Sequence, residues 1–369
     1  MTKQLEVSDP PLPAIVPRAP RWRLLAAPVR LGALRQLVLL PVIVVALVIG
    51  SQINGSFLSS TNVLDNILGS SAPLALVTVG ESMLIIAGRF DLSLQSTVGL
   101  APMLSARLVV PIAAYGFGTD LSPALGLLIL LAVGAAVGIV NGFLVAKLRL
   151  NAFVVTLAML ILVQGLTVGV SSGQTITSLP AAYTYIANAS YFGVPVEVWL
   201  MGAVFLAAGL FMRYHPVGRD IYAIGGNEEA ARAAGIRVER VVFGLFVVGG
   251  TLAALAGLVL SSQIASATAS QGQDLIFTVF AAAVIGGIDL KGGRGQMAGA
   301  ATGVLLLSVI QNLLIVAQVP SFWVSAIYGA LILLSLMLGA VTGSQRIDQL
   351  LSRLRKPHAA VADDSQSVV

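Results

Sequence analysis

Apolar runs long enough to carry a helix through a hydrocarbon core about 30 Å thick recur from residue 37 almost to residue 342, separated by short polar breaks. The runs fall near 37–50, 66–87, 94–113, 122–146, 152–170, 197–213, 241–260, 275–287, 297–317 and 322–342, with 94–113 and 275–287 the weakest. They predict an all-α membrane protein, a polytopic bundle of about ten transmembrane helices with some short or broken, occupying 37–342. Charged residues make up 10% of the chain, against about 25% in soluble domains, so no separate soluble domain fits between the runs. The 37–50 run has the length of a signal-peptide core, but the many spans after it favour a retained first helix.

Lysine and arginine set the orientation, because positively charged loops stay cytoplasmic. With the N-terminus inside, the inner loops are 88–95, 147–151, 212–240 and 288–296, and 20 of the 21 basic residues lie on that side. Arg107, inside the third run, is the exception. This predicts an inner-membrane protein with an even number of spans and both termini cytoplasmic. Trp199 and Trp323 fall at outer span ends, where indole rings favour the interface. Residues 1–36 form a basic, Pro-rich cytoplasmic tail, in which 22–34 reads either as an amphipathic helix on anionic lipid or as a plain juxtamembrane stop. Residues 343–369 form a second cytoplasmic tail. The basic residues sit between spans, so the positive charge points to membrane lipid and not to nucleic acid.

The chain has no cysteine, which removes disulfides and thiolate sites, and His215 and His358 alone make a histidine metal site improbable. No metal or cofactor is expected. No glycine-rich phosphate loop is present, so the chain cannot hydrolyse ATP alone. No nucleophile, base and orienting group come together, so it is not read as an enzyme.

The loop 215–240 is too long for a connector. Asn227 offers an N-cap, Glu228 and Glu229 suit the first turn of a helix dipole, Ala230 to Ala234 favour helix, and Gly235 ends it. A short cytoplasmic helix results, with a smooth alanine face that a partner could grip and with Arg219, Arg232 and Arg237 available to pair. Glu81 lies inside an apolar span, where a charge costs about 2.5–3.5 kcal/mol and faces protein or a wet cavity. Its expected partner is a serine, a backbone group or Arg89, or else it lines a pathway. Asp91, near Gly88 and Ser93, reads as the cap of a helix beginning about Ser93 or Gln95, and a helix start aimed inward would also present N–H groups to a solute. The same two readings apply to Asp289 among Gly286, Gly287, Gly292, Gly293 and Gly295. Gly88-Arg89-Phe90-Asp91-Leu92 is echoed by Gly286-Gly287-Ile288-Asp289-Leu290, and Asn141, Val145, Ala146 and Phe153 by Asn312, Val316, Ala317 and Phe322. The offsets differ, so the echoes do not define one duplication.

Glu229-Ala230-Ala231 with Gly235 resembles the Glu-Ala-Ala loop of permeases of binding-protein-dependent ABC importers. Gly218-Arg219 through Gly235, Gly80-Glu81-Ser82, Gly88-Arg89-Phe90-Asp91-Leu92-Ser93, Asn141-Gly142, Phe153-Val154-Val155-Thr156-Leu157 and the 282–295 glycine-rich element resemble the monosaccharide branch, the ribose, xylose and galactose-type permeases. The resemblance covers about 55–342. It departs at Arg89, where the family motif has its second glycine, at Leu94-Gln95, where Val-Gly is usual, and at Gln164. It implies a transmembrane permease subunit forming the path for a sugar or sugar-like solute. An extracytoplasmic binding protein would deliver the solute onto loops such as 171–196 and 261–274. Separate ABC ATPase subunits would grip Gly218, Arg219, Asn227, Glu228, Glu229, Ala230, Ala231 and Gly235. A second permease copy, identical or similar, would complete the path, with Glu81, Asp91, Ser93, Asn141 and Asp289 as path or broken-helix candidates. The competing reading is an ion- or proton-coupled secondary transporter that uses Glu81.

Overall fold

The computed structural model describes residues 39–320 and, beyond them, 323, 324, 326, 327, 329, 330 and 333. Both expected tails and most of the 322–342 run lie outside the described residues. Among residues 39–320, apart from a 3-10 turn at Ile112–Ala114, twelve helices follow in order: α1 (Leu39–Ile53), α2 (Asn62–Ile86), α3 (Leu94–Val109), α4 (Pro123–Lys147), α5 (Ala152–Ser171), α6 (Ala181–Asn188), α7 (Val196–Tyr214), α8 (Pro216–Gly226), α9 (Glu228–Ala233), α10 (Val238–Gln263), α11 (Leu275–Ile285) and α12 (Met297–Val316). A two-stranded antiparallel hairpin, β1 (Ser190–Tyr191) and β2 (Val194–Pro195), sits between α6 and α7. The first turns of α2 and the last of α4 are π-helical.

The protein is an all-α membrane bundle. Among the described residues, α2, α4, α5, α7, α10 and α12 are long and apolar enough to cross a membrane, six helices where the runs suggested about ten. Three of the expected spans are short helices: α1 has 15 residues, α3 has 16 and α11 has 11. The run at 94–113 is cut at Val109, because Val110 precedes Pro111 and is held extended (φ −81°, ψ 150°), as a residue before proline must be.

The centre of the bundle is α2. Every residue from Ser71 to Ile86 is buried, so this helix meets protein on all sides and needs no lipid-compatible surface. That accounts for its mean hydropathy of 1.4, the lowest of the six, and for its tolerance of Thr78, Glu81 and Ser82. Against it runs α10, which also packs on α3, α4 and α6. Gly134 and Gly250 meet backbone to backbone at the α4–α10 crossing, where a Cβ on either would overlap the other's carbonyl; small residues at such crossings let membrane helices approach closely. The outward faces of α4, α5 and α7 instead carry exposed Leu128, Ile161, Leu162 and Leu206.

The two ends of the bundle differ. One gathers the turns around 87–93, 147–151, 212–240 and 286–296, and with them all the basic residues of the described chain except Arg107. Arg107 lies at the opposite end, in the last turn of α3, with its guanidinium 4.5 Å from the Phe117 ring centre. There the segments expected as outer loops are ordered. Ile176 and Ala267 exchange backbone hydrogen bonds of 2.9 Å across them, and Tyr183 is fully buried with its hydroxyl against Ser105 Oγ.

Candidate functional site

The 215–240 loop folds into two helices, α8 and α9, where the sequence suggested one. His215 accepts from Val217 N through Nδ1, and Pro216 opens α8. Proline at a first helical position is a start signal, and it is the local mark by which α8 can be found in the sequence. Asn227 Oδ1 accepts from Ala230 N at 3.0 Å, capping α9 as expected. The helix ends with Gly235 at φ +85°, while Gly235 N donates to Arg232 O and Ile236 N to Ala231 O. This paired closure satisfies the last carbonyls and needs a left-handed residue at its corner.

The face that α9 offers is not the expected one. Ala231 is buried, 4% exposed, in the bundle core, while Glu229, Ala230 and Ala233 are exposed. A six-residue helix lying on the bundle must turn one side inward, and Ala231 is on that side. Gly218 is also buried, against the backbone of Phe211 and Met212, whereas Arg219 is exposed. Arg232 is not available to a partner: it binds Glu228 at 2.7 Å and Glu239 at 2.5 Å.

Glycine-capped turns place the next residues. Helix α2 closes at Gly88 (φ +74°), with Gly88 N donating to Ile85 O and Arg89 N to Leu84 O. Helix α11 closes in the same way at Gly287 (φ +86°). The sequence echo aligned Gly88 with Gly286, so it is one residue out of register with the geometry. The two aspartates therefore differ. Asp91 follows its left-handed glycine by three residues and is fully buried. Asp289 follows its own by two and caps a local turn, accepting from Lys291 N at 3.0 Å.

Four of the five path candidates converge. Asp91 N donates to both carboxylate oxygens of Glu81 at 3.2 Å. Asp91 Oδ1 accepts from Ser93 N (2.9 Å) and Ser93 Oγ (2.6 Å) just before α3 begins. Asn141, from α4, donates through Nδ2 to Asp91 Oδ2 at 3.1 Å and to Ser93 Oγ at 2.8 Å. All four side chains are fully buried. The partner of Glu81 is thus a backbone group and not Arg89. Asp289 stays in its own turn and takes no part in this cluster.

Arg89 turns outward from the same cap and binds Glu228 at 2.5 Å. Glu239, in the first turn of α10, binds Arg232 and also Arg149 at 3.2 Å. The result is an alternating chain: Arg89, Glu228, Arg232, Glu239, Arg149. Burial pushes the Glu228 carboxyl up, but hydrogen bonds from Arg232 and Arg89 outweigh it and leave the group below its ordinary value. This chain borders a cavity of about 750 Å³, lined also by Phe90, Asn151 and Phe153.

Residues 63–336 match the family described as branched-chain amino acid transport system, permease component. The chain belongs to this permease family. It is similar to the ribose import permease protein of Haemophilus influenzae, with 31% identity over 83% of this chain and 93% of that protein. Similarity to the ribose import permease protein of Escherichia coli K12 is 33%, over 80% of this chain and 90% of the relative. A xylose transport system permease protein of the same strain is 30% identical over 78% of this chain and 87% of its own length. No solved structure matches. Within this permease, sequence reasoning missed Glu197, which is buried and accepts from Gln263 Nε2 at 2.9 Å. Its position beside a predicted span end gives it the look of an ordinary interfacial charge.

Proposed function

We propose that this permease forms the path for a monosaccharide or a similar polyhydroxylated solute, driven by ATP hydrolysis on separate partner subunits. The similarity to ribose and xylose permeases over most of the chain supports the solute class. The observation that carries the mechanism is α9: a short capped helix whose exposed face, Glu229, Ala230 and Ala233, is presented on the basic end of the bundle. The small side chains of Ala230 and Ala233, beside Glu229, leave a surface that an ATPase groove can grip.

In this reading the basic end is cytoplasmic, with both termini on that side, as the charge bias requires. Ten segments complete the bundle when α1, α3, α11 and the 322–342 run join the six long helices. A second permease copy closes the path, and a binding protein docks on the ordered segments of the opposite end, 171–196 and 261–274, delivering solute. Glu81, Asp91, Ser93 and Asn141 form the joint at which the path changes access, while Asp289 shapes the neighbouring turn. Gly218, Asn227, Glu228 and Gly235 support docking by holding α8 and α9 in place, with Ala231 as their anchor in the core, and the exposed Arg219 is offered to the partner.

The test is reconstitution with the ATPase and binding protein in proteoliposomes. Uptake that continues with an uncoupler and stops without ATP is expected, and Ala230→Glu or Ala233→Glu should release the ATPase from a permease of normal abundance. Uptake that collapses with the uncoupler and ignores ATP would refute the reading in favour of an ion-coupled carrier.

A further inference from the structure

Besides Ile221 and Ile224, which pack in the core, the end of α8 meets the bundle backbone to backbone. Gly293 N donates to Ile86 O at 2.8 Å, a Cβ on Gly225 would overlap that same carbonyl, and one on Gly292 would stand 3.0 Å from the backbone of Gly88. The end of α2, the end of α8 and the turn after α11 are therefore in direct backbone contact at these glycines, with Tyr222 of α8 also donating to Gly295 O at 2.9 Å. Helix α9 is different. It is separated from α8 by Asn227, which is fully extended (φ −161°, ψ 105°), and from α10 by the Gly235 corner. The backbone joint does not reach it.

Arg89 does. Its amide is fixed by the α2 cap, through Leu84 O, and its guanidinium binds Glu228 at the first residue of α9. Two residues further on, Asp91 N holds both oxygens of Glu81. One side chain thus spans from the exposed helix to within two residues of the buried polar cluster. The pair is 27% and 32% exposed, at the rim of the 750 Å³ cavity. It also occupies the position at which the family-like motif has a glycine, which could make no such contact.

We infer that Arg89 is the positioning residue that ties α9 to the end of α2, so that displacement of α9 by an ATPase is delivered to the Glu81–Asp91 joint. This rests on α9 being the ATPase-docking helix. The pair acts by Coulomb attraction and hydrogen bonding between two groups on separate backbone units, so its loss leaves each unit folded and leaves α9 held toward α2 only by the packing of Ala231 in the core.

The experiment uses the reconstituted importer, permease with ATPase and binding protein, and measures uptake of labelled D-ribose, D-xylose and L-arabinose alongside ATP hydrolysed. Co-purification of the wild-type permease with the ATPase is read first, since its failure would sink the docking reading and not the role of Arg89. Arg89→Gln should keep the ATPase bound and lower sugar moved per ATP by about twofold to fivefold, the effect of losing one partly exposed pair in a charged network. Arg89→Lys, which keeps the cation, should restore most of that ratio. Glu228→Gln alone also loses its pair with Arg232, so it is measured as well, and the double variant should lose clearly less than the product of the two single losses, because both remove the same Arg89–Glu228 pair. An unchanged ratio in Arg89→Gln, or losses that simply multiply in the double variant, would overturn the inference. Should Arg89→Gln accumulate poorly, Arg89→Lys carries the test: a full loss of ratio at normal abundance would exclude the ion pair as the link.

Discussion

Replacing Asn141 with leucine removes the amide at the heart of the buried cluster with little change in volume. Asp91 Oδ2 then loses the donor that Asn141 supplies at 3.1 Å, and Ser93 Oγ loses one at 2.8 Å. A hydrogen bond to a carboxylate contributes about 1.5–3 kcal/mol. Part of the loss is offset, because Asn141 Oδ1 is buried without a protein partner, and removing such an orphan returns about 1 kcal/mol. With about 1 kcal/mol more for the Ser93 hydrogen bond, the net cost is about 1.5–3 kcal/mol, which for a chain of 369 residues, at about 1–1.5 °C per kcal/mol, lowers the midpoint by roughly 2–4 °C. The assay heats detergent-solubilised permease and follows the monodisperse fraction by size-exclusion chromatography. Asn141→Ala should fall further, since it leaves a cavity as well. A midpoint for Asn141→Leu equal to or above wild type would refute the claim that this amide holds the α2–α3 turn against α4.

Glu81→Gln keeps shape and hydrogen-bonding reach, so it should insert and accumulate normally while uptake falls about tenfold or more; normal uptake would relegate the residue to packing. Ala231→Glu puts a charge into the core and should reduce folded protein, whereas Ala230→Glu should not, a contrast visible by quantitative blotting of membranes. Gly225→Val drives a side chain into the Ile86 carbonyl and should cost about 1–3 kcal/mol, read as a lower thermal midpoint; an unchanged midpoint would show that the joint yields. Cysteines at Ala233 and Gln174, both exposed in this cysteine-free chain, should label from opposite sides of the membrane, and labelling of both from outside intact cells would overturn the proposed orientation.

The membrane class is legible in the sequence because apolar length is a one-dimensional property. The α9 caps are legible because Asn227 and Gly235 act on neighbours within a few residues. Residues whose role depends on contacts across the chain are harder. Glu81 announces itself as a charge in an apolar run, but nothing local tells that Asp91 N, beyond a glycine turn, satisfies it. Asn141 enters through a motif, and its contact with Asp91 needs α4 to cross α3. Ala231 is misjudged from sequence because the alanines look alike there, and the bundle alone decides which one turns inward. The short α3 shows in the sequence as one of the two weakest runs, because a helix enclosed by protein is not required to be long or apolar enough for lipid.

The enclosure of α2 also bears on how the chain is made. This helix leaves the ribosome with Glu81 and has to enter the bilayer roughly 150 residues before α10, its main cover, is synthesised, an interval on the order of ten seconds at about 5–20 residues per second. During that time the carboxyl has no finished protein around it. The helix must be sheltered at the insertion machinery or wait tilted at the interface until α10 arrives. Synthesis slowed between the codons for residues 90 and 238 should then lengthen exposure of α2 to membrane proteases, making the most buried helix of the finished permease the most vulnerable one during its birth.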